Sequence, residues 1–182
     1  MTTQRIVCFS ICGLLSVGAA AVAQKSKQAL IAEAESAGPT AVTASATIKD
    51  GEGNVLREGT NGWTCYPGNE AIGPMCNQAQ WDAVLQALMA KEEPKVESFS
   101  ISYMLAGEGD AVGVSNSDPF ATDPASAHDH VKEGPHLMIV VPDPSALEGI
   151  STDPNNPVYV MWSGTPYAHI MVKIAEEHAT HD

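Results

Sequence analysis

Three stretches near the C-terminal end, residues 136–141, 158–162 and 167–174, alternate side-chain type with a period of two. Alternate side chains of a strand share a face, so parity alone sorts each stretch into two sheet faces. One parity gives Leu137, Ile139 and Val141, then Val158, Val160 and Trp162, then Ala168, Ile170, Val172 and Ile174, and reads as a continuous aliphatic core face. The other gives His136, Met138 and Val140, then Tyr159, Met161 and Ser163, then Tyr167, His169, Met171 and Lys173. Pro-rich turns such as Asp153-Pro154-Asn155-Asn156-Pro157 separate these strands. Residues 98–106 alternate in the same way, with Phe99, Ile101, Tyr103 and Leu105 opposing Ser98, Ser100, Ser102 and Met104. Residues 40–49 also alternate, and Val55-Leu56-Arg57 returns as a hairpin after the turn Asp50-Gly51-Glu52-Gly53-Asn54. That turn begins like a calcium loop, but Val55 stands where the loop needs glycine and the closing glutamate is missing. One helix is expected over 78–90, capped by Asn77, with Trp81, Val84, Leu85 and Leu88 on its apolar face. Residues 107–135 are rich in Gly, Asp, Pro and Ser and show no period. Together these features predict a single α+β domain: a mostly antiparallel β-sheet, one main helix and a long Pro/Asp/Gly-rich loop, which at that length is often functional.

The N-terminal segment sets the compartment. Arg5 is followed by an apolar run from Ile6 to Ala20 and by Ala21-Val22-Ala23, the small-x-small pattern cut by signal peptidase. The run is shorter than the ~20 residues of a permanent anchor. The expected organisation is a cleaved signal peptide (1–23), a flexible leader or frayed helix (24–39), a globular domain (40–175) and a disordered tail (176–182), in a periplasmic or secreted protein beginning at Gln24. The mature chain keeps 8 basic and 22 acidic residues, a net charge of −14. Such an excess repels phosphate backbones and anionic lipid, which argues against nucleic acid and a membrane surface as partners.

Cys65 and Cys76 are the two cysteines left after cleavage. In an oxidising compartment they read as a disulfide bracketing a turn-rich loop. A redox pair would more often be spaced Cys-x-x-Cys at a helix start.

Several strings, Gly62-Trp63-Thr64-Cys65-Tyr66-Pro67-Gly68, Pro74-Met75-Cys76, Ser115-Asn116-Ser117-Asp118-Pro119, Gly134-Pro135-His136-Leu137-Met138-Ile139 and the run from Tyr159 to Met171, resemble those of a family of small exported bacterial proteins. The resemblance covers about residues 40–174. It implies one exported domain, and no particular activity, cofactor or catalytic residue.

The chemistry worth weighing lies on the second parity. Two strands carry His-x-Met on one side, which places His136, Met138, His169 and Met171 as ligands if the strands pair. Imidazole with thioether is a soft donor set suited to copper. His128 and His130, at the end of the long loop, would close over it as a gate. Copper release is then expected near the ordinary histidine pKa of about 6.5. The competing account is that methionine fills an irregular core and each histidine makes an ordinary hydrogen bond. The tail residues His178, His181 and Asp182 are a second set of potential chelators. Catalysis has less to draw on. There is no Gly-x-Ser-x-Gly elbow, no His-Glu-x-x-His and no phosphate-binding glycine loop. The expectation is therefore a non-catalytic binding or interaction module. The alternative is a small periplasmic hydrolase using His128, Asp129 or His136 as acid–base groups.

Overall fold

The computed structural model describes residues 25–174, so the expected signal peptide and the tail with His178, His181 and Asp182 lie outside the described residues. The domain is α+β. Eight strands form one sheet: β1 (Thr47–Lys49), β2 (Val55–Arg57), β3 (Trp63–Tyr66), β4 (Met75–Gln78), β5 (Ser100–Met104), β8 (His136–Val140), β9 (Val158–Met161) and β10 (His169–Lys173). Their order is β2-β1-β3-β4-β5-β8-β10-β9. All neighbours are antiparallel except β1 and β3. Inside the long loop a small ribbon forms from β6 (Val114–Ser115) and β7 (His130–Val131).

The main helix, α3 (Ala79–Ala90), buries Trp81 and Val84 and packs Leu85 and Leu88 against the same core, as the helical spacing predicted. Its cap differs from the expectation. Asn77 sits in β4, where its Oδ1 accepts the Ser102 hydroxyl at 2.5 Å, and Gln78 is the N-cap without a side-chain bond. The Trp81 N–H donates instead to Ser100 Oγ of β5 at 3.1 Å. A helix end needs acceptors for its first N–H groups, and here a neighbouring strand supplies one.

Residues 24–39, expected as a flexible leader or a frayed helix, contain α1 (Lys27–Glu35), capped by Ser26 Oγ on the Ala29 N–H at 3.2 Å. Residues 40–43, expected in a strand, form the short helix α2 (Thr40–Thr43). Both pack on the β1–β3–β4 end of the sheet, where Ala34, Ala37, Ala46 and Ile48 are fully buried around Cys65 and Cys76. Arg57 ties this layer down through an ion pair with Glu35 and a bond to the Thr43 carbonyl at 2.6 Å. Cys65 and Cys76 are directly opposite in β3 and β4 and form a disulfide. The Asp50 carboxylate accepts N–H bonds from Glu52 and Asn54, so its oxygens hold the hairpin turn.

The faces of the C-terminal strands are covered the other way round from the expectation. His136, Met138 and Val140 are buried, as are Tyr159, Met161, His169 and Met171. Of the aliphatic residues, Leu137, Ile139, Ile170 and Val172 are only half-buried and Val158 is 42% exposed, while Val160 is buried. The reason is the position of the covering layers. Helix α3 and the loop 107–135 lie over the His/Met face, while α1 and α2 cover the opposite face only at the β1–β3–β4 end.

Candidate functional site

Strands β5, β8, β10 and β9 set the site by their register. Met171 of β10 stands opposite Met138 of β8, and His169 opposite Met161 of β9. Directly opposed side chains are ~5 Å apart at Cβ, and diagonal neighbours ~7–8 Å. His169 is therefore surrounded by three thioethers: Met161 across the strand, Met171 two residues along and Met138 on the diagonal. His136 lies at the other end of the methionine pair, opposite Met104 and Lys173. Four residues along the strand, about 13 Å of backbone, separate the two positions, and the His136 ring still contributes to lowering the His169 pKa.

All four predicted ligands line one internal cavity of about 40 Å³, together with Met75, Met104, Met161, Trp81 and Trp162. Among the described residues Met89 is the one methionine outside it, and it is 64% exposed. Thioethers are thus concentrated around one space rather than spread through the core. The long loop roofs it with Val114 and Val131. His128 and His130 are exposed and do not line it; the His130 Nε2 lies 2.8 Å from the Val112 carbonyl. The predicted gate is made by the neighbouring valines instead, because β7 turns Val131 inward and His130 outward.

His169 is 1% exposed. Its Nδ1 lies 2.9 Å from the Tyr167 carbonyl oxygen, which can only accept, so Nδ1 carries the proton. Nε2 then holds the lone pair, and it is buried with no hydrogen-bond partner. The rings of Trp81 and Trp162 stand edge-on, each at 5.1 Å between centroids. Burial pushes the His169 pKa down to about 4. His136 is built alike, with Nδ1 2.7 Å from the Gly134 carbonyl, and burial lowers its pKa too. The Glu133 carboxylate raises it and the Lys173 ammonium paired with that carboxylate lowers it by less, so burial decides the direction.

Near His136 the chain is more polar. Tyr159 donates to Glu133 Oε1 at 3.0 Å, and Lys173 pairs with the same oxygen at 3.0 Å. Burial and that carboxylate hold the Tyr159 hydroxyl well above its ordinary pKa. Glu108 is 6% exposed, and burial raises its pKa against the opposing pull of a Gly73 N–H bond at 2.6 Å.

Trp162 escaped the parity reading. It was assigned to the aliphatic face, but it has φ of +54°, a left-handed conformation uncommon outside glycine. The flip turns its indole into the cavity. Its N–H bonds the Asn116 carbonyl at 2.7 Å and its Nε1 the Ser115 carbonyl at 2.9 Å, pinning the loop over the site. Met104 and Met75 were also missed as site residues, although the position of Met104 opposite the apolar parity of 98–106 was a signal.

Of the residues offered for hydrolysis, His128 is exposed in the loop beside Asp129, close enough to act on its carboxylate, and His136 is buried in the cavity. Asp129 accepts bonds from the hydroxyls of Ser115 and Ser117 and clasps the loop, and its carboxyl is held below the usual range chiefly by Ser117. His130, His136 and His169 each bond a backbone carbonyl rather than a hydroxyl. No cluster of three or more His, Cys, Asp or Glu among the described residues is placed to hold a metal ion. A thioether-rich set is a different donor class. No helix among them is long and apolar enough to cross a membrane.

No protein-family model, curated protein or solved structure matches the chain.

Proposed function

We propose that this protein is an exported, non-catalytic binding module that takes up one soft cation, Cu(I), in the buried pocket around His169. The observation that carries the reading is the unpartnered Nε2 of a fully buried imidazole, fixed by its Nδ1 hydrogen bond and surrounded by Met161, Met171 and Met138. An unsatisfied buried polar atom is costly, of order 1–3 kcal/mol. Holding a ligating histidine by a carbonyl on its other nitrogen is the common device at metal centres. Size points the same way. Pockets for small organic ligands run to about 300–1,000 Å³, and about 40 Å³ suits an ion. Thioethers select Cu(I) over harder ions. His136 sits at the far end of the cavity, beside Lys173, and is a weaker ligand in this reading.

The test is a Cu(I) competition titration of the mature domain against a chromogenic chelator. Wild type should bind one equivalent. His169→Ala should abolish binding, His136→Ala should weaken it less, and removal of the tail from Glu177 onward should leave it unchanged. Equal competition by wild type and His169→Ala would leave the face as packing alone. Export to the periplasm or medium is part of the same reading, and mass spectrometry of the exported protein should find Gln24 at its N-terminus.

A further inference from the structure

The cavity has two neighbours: one of about 150 Å³ shares only the apolar side chains Ile72, Met75 and Leu85 with it, and the other shares a carboxylate. The second, an open cleft of about 570 Å³, lies between the disulfide-bracketed loop, which contributes Gly68, Asn69, Glu70 and Pro74, and segment 106–111. Glu108 is the one residue lining both the cleft and the cavity. The wall between them is otherwise close-packed backbone. A Cβ on Gly73 would come 2.1 Å from the Gly107 carbonyl oxygen, and one on Gly107 would come 2.8 Å from the Gly134 carbonyl carbon. No side chain fits where these three segments touch, and Glu108 links them, its carboxylate accepting the Gly73 N–H and its own N–H donating to the Glu133 carbonyl at 2.9 Å.

We propose that the cleft is the loading mouth for the cation and that Glu108 is its gate, passing the ion from solvent to the methionine-lined cavity. The inference rests on the soft-cation reading of His169. Two observations carry it. The mouth is acidic: Glu70, Asp110 and Glu108 face it, and Lys25, its one lysine, is paired with Glu33. At the inner end of the cavity waits a buried, unpartnered acceptor, His169 Nε2. A carboxylate on the boundary gives a cation a transient partner where it sheds water, which lowers the barrier without deepening the final site. The Cys65–Cys76 bridge acquires a role as well. It holds the loop whose Gly73 N–H positions the gate.

A gate that is not a ligand changes entry and exit rates together and leaves their ratio alone. The test is stopped-flow transfer of Cu(I) from a weak chelator, with equilibrium affinity measured alongside. Glu108→Gln, which keeps the size of the side chain, should slow loading about tenfold or more and slow release by the same factor. The exposed pair Glu70→Gln with Asp110→Asn should slow loading two- to threefold at low salt and not at high salt, where surface charges are screened. If Glu108→Gln loads at the wild-type rate while His169→Ala loses binding, the route is overturned and the soft-cation reading stands. If Glu108→Gln loses affinity rather than speed, Glu108 is a ligand and not a gate. If wild type takes up no Cu(I), the reading of the site fails and the route falls with it.

Discussion

The two faces of the sheet formed by β5, β8, β10 and β9 differ in a way that inverts the usual hydrophobic rule. One carries histidine, methionine, serine and tyrosine and is sealed beneath α3 and the loop 107–135. On the other, Ile101, Leu137, Ile139, Ile170 and Val172 stay half-exposed, and Val160 is buried. Burial follows what covers a face as much as what the face contains. The polar groups on the covered face are accommodated one by one. Ser100 caps α3, Ser102 bonds Asn77, and the Trp81 Nε1 bonds the Met138 carbonyl. His169 Nε2 is not accommodated in this way; with Arg57 Nε and Asn116 Oδ1 it is one of three buried side-chain atoms without a partner among the described residues, and the one that lines the cavity.

Substitutions on the two faces should separate sharply. Trp81→Ala removes the largest side chain between α3 and the sheet and should cost about 3–5 kcal/mol by urea denaturation. A loss under 1 kcal/mol would mean that the covered face is loosely packed. Reduction of the disulfide, or Cys65→Ser with Cys76→Ser, should cost about 3 kcal/mol, and native protein should show no free thiol on alkylation.

Acid should act through the covered face. The folded pKa of His169 is about 4, below the ordinary 6.5 of the unfolded chain. Between those values the unfolded state binds more protons. Stability is thus full above pH 6.5, falls as pH drops toward 4, and levels below it. The loss is on the order of 3 kcal/mol, and His136, lowered in the same direction, adds to it. His169→Phe should flatten the profile between pH 6.5 and 4; an unchanged profile would place the acid sensitivity elsewhere. The same shift moves proton competition with a bound cation from the pH 6.5 expected of an ordinary histidine to near pH 4. The smallest effect belongs to the half-exposed face. Ile139→Ala or Ile170→Ala should cost about 1–2 kcal/mol, below the range of fully buried sites, with no change in cation binding.

Much of this arrangement was legible. Period-two alternation located β5, β8, β9 and β10, helical spacing located α3, and the cysteine count gave the cross-strand bridge. His-x-Met parity put His136, Met138, His169 and Met171 on one side of the sheet, where all four line one cavity. The rest depends on tertiary geometry. Parity distinguishes two faces but does not say which one a helix will cover. It assumes extended backbone, so the positive φ of Trp162 reversed that residue. Antiparallel register put the methionines opposite each other and the histidines at opposite ends, and register cannot be read from one strand alone. The packing of α1 was hidden because its contacts are made by small alanines, Ala34 and Ala37, in a segment otherwise rich in polar residues.

The central claim, that the covered face is a soft-ion site and not packing alone, is tested most directly by X-ray absorption at the copper edge of the mature domain loaded with one equivalent of Cu(I). The account predicts a first shell dominated by sulfur with a single imidazole nitrogen, and its loss in His169→Ala. A shell of nitrogen and oxygen only, or a spectrum unchanged by that substitution, would contradict it.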